Sequence, residues 1–118
     1  YLALHSKDLR NNISESKLGR AAALLEEVVR RIAIEDNRIA LGFSDAVKAS
    51  DEGAIESLLI SDRIFELGID EDEIIKLLNT VESKRGKTFL IDSSTDLGVQ
   101  VSKLSGVVSL LRYPVYFD

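Results

Sequence analysis

The chain has 118 residues, enough for one domain with a core of its own and too few for two. Apolar residues make up 45% and charged residues 30%, with no apolar run near the roughly 20 residues of a membrane span, so neither a disordered tail nor a spanning helix fits. A net charge of −5 argues against nucleic acid as the main partner, and the absence of Cys removes disulfides, thiolate zinc sites and a cysteine nucleophile.

With no signal-like apolar N-terminus, the expected compartment is the cytoplasm. The lack of any Met, even at position 1, leads us to expect that Tyr1 is a cut point in a longer chain. Residues 1–14 end in the turn-like Asn11-Asn12-Ile13-Ser14 and read as a partly helical lead-in, with a single α/β domain over 15–118.

From Glu15 to Ile34, Leu18, Ala21, Ala22, Leu25, Val28, Val29 and Ile32 recur at three-and-four spacing, which predicts a long helix with one apolar face broadened by Leu24. Glu26, Glu27, Arg30 and Arg31 fall on its other side, spaced to form the pairs Glu26-Arg30 and Glu27-Arg31. Residues 38–41 predict a short strand ended by Gly42. Phe43 to Glu52 then predict a helix that buries Phe43, Ala46 and Val47, with Ser44 as a possible cap and Gly53 as the residue that terminates it.

Leu58-Leu59-Ile60 is an uninterrupted apolar run inside the strand expected over Ser57–Ser61, the pattern of a strand buried on both faces. The acidic run Asp70 to Glu73 has capping-box spacing and opens a helix whose predicted buried stripe is Ile74, Ile75, Leu78 and Val81, stopped by Gly86. Thr88–Ile91 follows as a strand. Asp92-Ser93-Ser94-Thr95 starts a fourth helix bearing Leu97, Val101 and Leu104, and after Ser105-Gly106 the last strand runs from Val107 to Tyr113. Such alternation predicts an α/β fold, an α/β/α sandwich around a mixed central sheet of about four strands.

Chemistry-bearing motifs are few. Gly86-Lys87-Thr88 imitates the end of a phosphate loop, but Val81 stands where its first glycine belongs. The tripeptide also closes a helix and opens a strand, the reverse of the order that aims helix N–H groups at phosphate. His5, Ser6 and Asp8 crowd the types of a hydrolytic triad into one turn without an oxyanion hole. Asp92 and Asp96 are the best carboxylate pair for a metal, and capping is their simpler role. No catalytic residue, cofactor or metal site is expected.

Several pieces in order carry a family resemblance: Leu41-Gly42 opening a helix, Glu52-Gly53-Ala54-Ile55-Glu56, Leu58-Leu59-Ile60-Ser61-Asp62, Ser93-Ser94 before a helix, and Leu110-Leu111-Arg112-Tyr113-Pro114-Val115. Together, from about Leu18 to Val115, the sequence resembles the C-terminal domain, domain 3, of the Pelota family, relatives of the class I release factors. Val107-Val108-Ser109 stands where a termination factor typically has a glycine-rich approach, and the chain is too short for that factor's inserted subdomain; the ending Tyr116-Phe117-Asp118 leans the other way.

The resemblance implies a role in mRNA surveillance, no-go decay and rescue of stalled ribosomes, with docking to an elongation-factor-like GTPase and an ABC-type recycling ATPase. The nuclease activity sometimes attributed to the family belongs to other domains. Candidate partner contacts are Asp62, Arg63, Arg112 and Tyr116, and no membrane partner is implied. The alternatives are the C-terminal domain of a class I release factor or a small RNA-binding module of the kink-turn-binding ribosomal-protein fold. That fold's Gly-x-Asn-Glu-x-x-Lys pattern corresponds here to Gly42, Ser44, Asp45 and Lys48. Ser44 lacks the amide that both donates and accepts, so direct RNA binding at this edge is not expected.

Overall fold

The computed structural model describes residues 5–117, with side chains from Lys17 onward. Four helices alternate with four strands: α1 (His5–Ala33), β1 (Ile39–Leu41), α2 (Phe43–Asp51), β2 (Ile55–Ser61), α3 (Glu71–Ser83), β3 (Lys87–Ile91), α4 (Asp96–Lys103) and β4 (Val107–Leu111). A 3-10 segment over Asp62–Glu66 follows β2. Among the described residues helix α1 already runs from His5, ahead of the expected start at about Glu15, and is continuous through the expected boundary between lead-in and domain. His5, Ser6 and Asp8 have side chains outside the described residues.

The strand order is β1-β4-β2-β3. Strand β4 runs antiparallel to both β1 and β2, while β2 and β3 are parallel, which makes the sheet mixed. All five residues of β4 are buried, as is every residue of β2 except Glu56. A bulge between Ile55 and Ser57 interrupts the β2–β4 register and leaves Glu56 exposed.

Alternation along the strands divides the core in two. Leu58, Ile60, Val107 and Leu111 face α2 and α3, where they meet Ala46, Ala49, Ile74, Leu77 and Val81. On the opposite face Leu59, Phe89, Ile91, Val108 and Leu110 meet Ala21, Leu25 and Val28 of α1 and Val101 of α4. The result is the expected α/β/α sandwich.

Several helix faces differ from their sequence reading. In α3 the buried line is Ile74, Leu77 and Val81; Ile75 is exposed and Leu78 only half-buried. The run Ile74-Ile75-Lys76-Leu77-Leu78 supplies two apolar lines one residue apart, and packing over β2 and β3 selects the first. Similarly, α1 buries Ala21, Leu25 and Val28, whereas Ala22, Val29 and Ile32 lie exposed on its flank. Helix α2 buries Ala46, Ala49 and Ser50, with Phe43 and Val47 only partly covered, and Gly42 rather than Ser44 is its N-cap.

Gly53 ends α2 with φ +69°, the left-handed conformation expected of it. At the end of α3, by contrast, Arg85 takes the left-handed conformation (φ +68°), and Gly86 is needed for space: a Cβ there would stand 2.6 Å from the Ile55 carbonyl oxygen. The tightest approach is at Gly98, where a Cβ would come within 2.0 Å of the Asp92 carbonyl oxygen.

Three substitutions test this architecture. Leu59 is 1% exposed on the central strand, so Leu59→Asp buries an unpaired charge and is expected to abolish the cooperative melt; a near-wild-type transition refutes the placement. Gly98→Ala drives a methyl into backbone and is expected to cost at least about 2 kcal/mol. Gly19→Ala on the open surface of α1, where nothing lies within 4 Å, is expected to gain about 0.5–1 kcal/mol in the same denaturation assay.

Candidate partner-docking surface

Because β4 is antiparallel to β2, Asp62 and Arg63 fall at the opposite end of the sheet from Arg112. Asp62 and Arg63 follow β2, beside the start of β4, where the Ser61 N–H donates to the Gly106 carbonyl at 2.9 Å. Arg112 follows β4 at the other end, where its N–H donates to the Ala54 carbonyl at 2.7 Å. About 20 Å of strand separates them, so the structure does not gather them into one patch.

Their surroundings also differ. The Asp62 carboxylate accepts from the Ser93 N–H at 3.0 Å and so links the exits of the parallel pair β2 and β3. Arg63 is exposed. From Arg112 the tail turns back along α2: Val115 enters the α2–α3 core, Phe117 packs against it, and Tyr116 stands 80% exposed.

Arg112 belongs to a cluster of donors that satisfies helix ends. The last carbonyls of a helix lack intrahelical partners and sit at its negative pole. Here the Lys84 ammonium donates to the carbonyls of Ser50 and Asp51 at 3.2 and 2.7 Å, and the Tyr113 hydroxyl donates to that of Glu52 at 2.6 Å. The Arg112 guanidinium donates to the Lys84 carbonyl at 3.0 Å, with a longer contact of 3.4 Å to that of Gly53. The ends of α2 and α3 are thereby tied to the residues just after β4.

Arg31 carries a donor from α1 to carbonyls at the strand ends, a role the sequence reading missed by placing it on the solvated face. Its side chain is buried; one guanidinium nitrogen donates to the carbonyls of Arg38 and Leu111 at 2.7 and 3.2 Å, and Nε donates to Glu27 at 2.7 Å. Glu27 also accepts from Arg30, so the expected Glu26-Arg30 pair gives way to one carboxylate shared by two arginines. Hydrogen bonds from Arg30 and then Arg31 lower its pKa to about 2. The Arg38 guanidinium and N–H likewise hold Asp36 below the usual carboxylate range.

The kink-turn-like residues lie at the start of α2. Gly42 caps the helix with φ +97° and donates its N–H to the Val107 carbonyl at 2.8 Å. Ser44 is exposed and Asp45 half-buried, while the Lys48 ammonium lies 5.9 Å from the centre of the Phe117 ring, within cation–π range. Among the described residues there is no cluster of three or more metal-ligating side chains. The Asp92 carboxylate takes the Ser94 N–H and hydroxyl, which lower its pKa, so it closes the turn before α4. Gly86-Lys87-Thr88 connects the end of α3 to β3, the order opposite to a phosphate loop. Among the described residues, no helix is long and apolar enough to cross a membrane.

A family model described as eRF1 domain 3 matches residues 18–115, which include all four strands and helices α2 to α4. This chain belongs to the eRF1 domain 3 family. Within it the chain is a Pelota-type C-terminal domain. It is 35% identical over 115 residues to a protein pelota homolog of Nitrosopumilus maritimus, covering 98% of this chain and 32% of that protein. Among solved structures it is similar to Saccharomyces cerevisiae Dom34, with a TM-score of 0.76 and 28% identity over 98% of this chain and 34% of that one. Dom34 is described there as a translation termination-like factor involved in RNA quality control pathways and interacting with Hbs1. A model of ribosome-bound archaeal Pelota and ABCE1 gives a TM-score of 0.74 and 26% identity, over 92% of this chain and 30% of that one. The eRF1 domain 3 chain thus spans about a third of the length of the relatives it matches.

Acid titration tests the shared carboxylate. Because the folded pKa of Glu27 lies below the usual 4.5, its contribution to stability is complete above about pH 4.5 and is lost as pH falls through about 2. Glu27→Gln is expected to flatten the acid limb of the stability profile, measured by denaturation across that window. Arg31→Leu, which removes a donor from the buried Leu111 carbonyl and the second of two donors from that of Arg38, is expected to cost about 1–3 kcal/mol at neutral pH.

Proposed function

We propose that this domain is the protein-docking module of a cytoplasmic ribosome-rescue factor. Within the full-length protein it engages an elongation-factor-like GTPase and an ABC-type recycling ATPase on a stalled ribosome, and it contributes binding rather than catalysis. The observation that carries this reading is the match to the Pelota homolog over 98% of the chain. Support for the partners comes from relatives: Dom34 is described as interacting with Hbs1, and archaeal Pelota is bound to a ribosome with ABCE1.

Arg63 and Tyr116 are the first choices as contacts, since both side chains are exposed and neither donates or accepts a hydrogen bond among the described residues. Asp62 and Arg112 already hold bonds within the fold and would share them with a partner. RNA recognition at Gly42, Ser44, Asp45 and Lys48 is not part of the proposal.

A parallel titration of the chain with the GTPase, the ATPase and a kink-turn RNA at physiological salt tests this. Association with at least one protein, weakened by Arg63→Ala or Tyr116→Ala, and little RNA binding are expected. Submicromolar RNA binding that depends on Lys48, with no association with either protein, overturns it in favour of an RNA module.

A further inference from the structure

Where α1 crosses the starting ends of β2 and β3, a groove of about 440 Å³ is lined by four cations, Arg20, Arg85, Lys87 and Arg112, with one carboxylate, Glu56. This concentration of positive charge occurs in a chain with 20 acidic and 15 basic residues. Among the described residues, the ion pairs are those of Arg30 and Arg31 with Glu27 and of Arg38 with Asp36, so none of the four groove cations is neutralised by a neighbouring carboxylate. A cleft lined mostly by charges of one sign, four cations against one carboxylate here, attracts the opposite charge.

The fold holds these cations in place. Lys87 lies two residues before Phe89, which packs toward α1, so strand alternation points it to the same face. The left-handed turn that ends α3 sets the Arg85 backbone, and the Lys84 carbonyl accepts from the Arg112 guanidinium. Half-buried Leu24 of α1 adds an apolar wall.

We infer that this groove docks an acidic segment of a protein partner. The inference rests on the docking role proposed above and assigns that role a surface and a partner charge. Three arginines offer planar forks that match carboxylates, and Leu24 offers an apolar seat that suits a mixed peptide. Glu56 accepts a backbone N–H or a lysine from such a peptide, whereas against a phosphate backbone it only repels. The groove also lacks an aromatic ring on which a base could stack.

The test is fluorescence anisotropy of the chain with a labelled Glu- and Leu-containing peptide, its Lys-for-Glu counterpart and an RNA duplex, over a range of salt. Binding of the acidic peptide that weakens with salt is expected, with a loss of at least about tenfold in Arg85→Glu/Lys87→Glu. The control Lys76→Glu/Lys103→Glu has the same net charge change at exposed sites elsewhere and is expected to bind as the wild type does. The neutral pair Arg85→Gln/Lys87→Gln gives the same readout with less perturbation, and thermal melts verify folding. No binding of the acidic peptide, an equal loss in the control, or preferential RNA binding lost in the groove variant each overturns the inference. Titrating the GTPase and ATPase against the same variants separates the two claims. Partners that bind wild type and groove variant equally remove the groove and leave the docking role, whereas peptide binding without partner binding removes the docking role.

Discussion

The strand that comes last in sequence lies in the middle of the sheet, and the architecture depends on that insertion. Strands β1 and β2 never touch directly; each is hydrogen-bonded to β4, which separates them. The side chains of β4 alternate between the two cores, Val107 and Leu111 toward α2 and α3, Val108 and Leu110 toward α1 and α4. One five-residue segment therefore completes both hydrophobic layers, and the parallel pair β2–β3 depends on it for its antiparallel neighbour.

Polar chemistry serves the same assembly. At the end of the sheet where β4 terminates, Arg31, Lys84, Arg112 and Tyr113 direct their donors to carbonyls of the β1 approach, β4, α2 and α3. Arg31 is buried, so its bond to the Leu111 carbonyl spares a buried acceptor the cost of desolvation, while the exposed Lys84, Arg112 and Tyr113 add donors at helix ends that water also reaches. This gives a physical reason for the Arg-Tyr pair in the tail Leu110 to Val115: the pair acts as a clamp between helix ends and strand end. The family signature in that tail is therefore in large part a signature of the fold.

Much of this was legible in the sequence, for identifiable reasons. The unbroken run Leu58-Leu59-Ile60 marked the central strand, because only a strand covered on both sides tolerates it, and helix-strand alternation marked the sandwich. Strand order was not legible: periodicity reports which face is apolar and says nothing about which strands are neighbours. In α3 the doubled apolar line left the helix phase open by one residue. Arg31 was misread because charge predicts exposure, and the two carbonyls that justify its burial come from Arg38 and from Leu111, 80 residues away. Asp62 and Arg112 were recognised as residues at strand ends, but the sequence could not show that those ends point in opposite directions.

The placement of β4 also bears on how the domain is made. Synthesis delivers α1, β1, α2, β2, α3, β3 and α4 before the residues that join β1 to β2. Until Val107–Leu111 arrive, both strands present open edges and both helical layers rest on an incomplete floor. Unpaired edges are templates for pairing with other chains. A product cut short before Val107 is therefore more than a slightly smaller domain: it lacks the strand that closes the facing edges of β1 and β2.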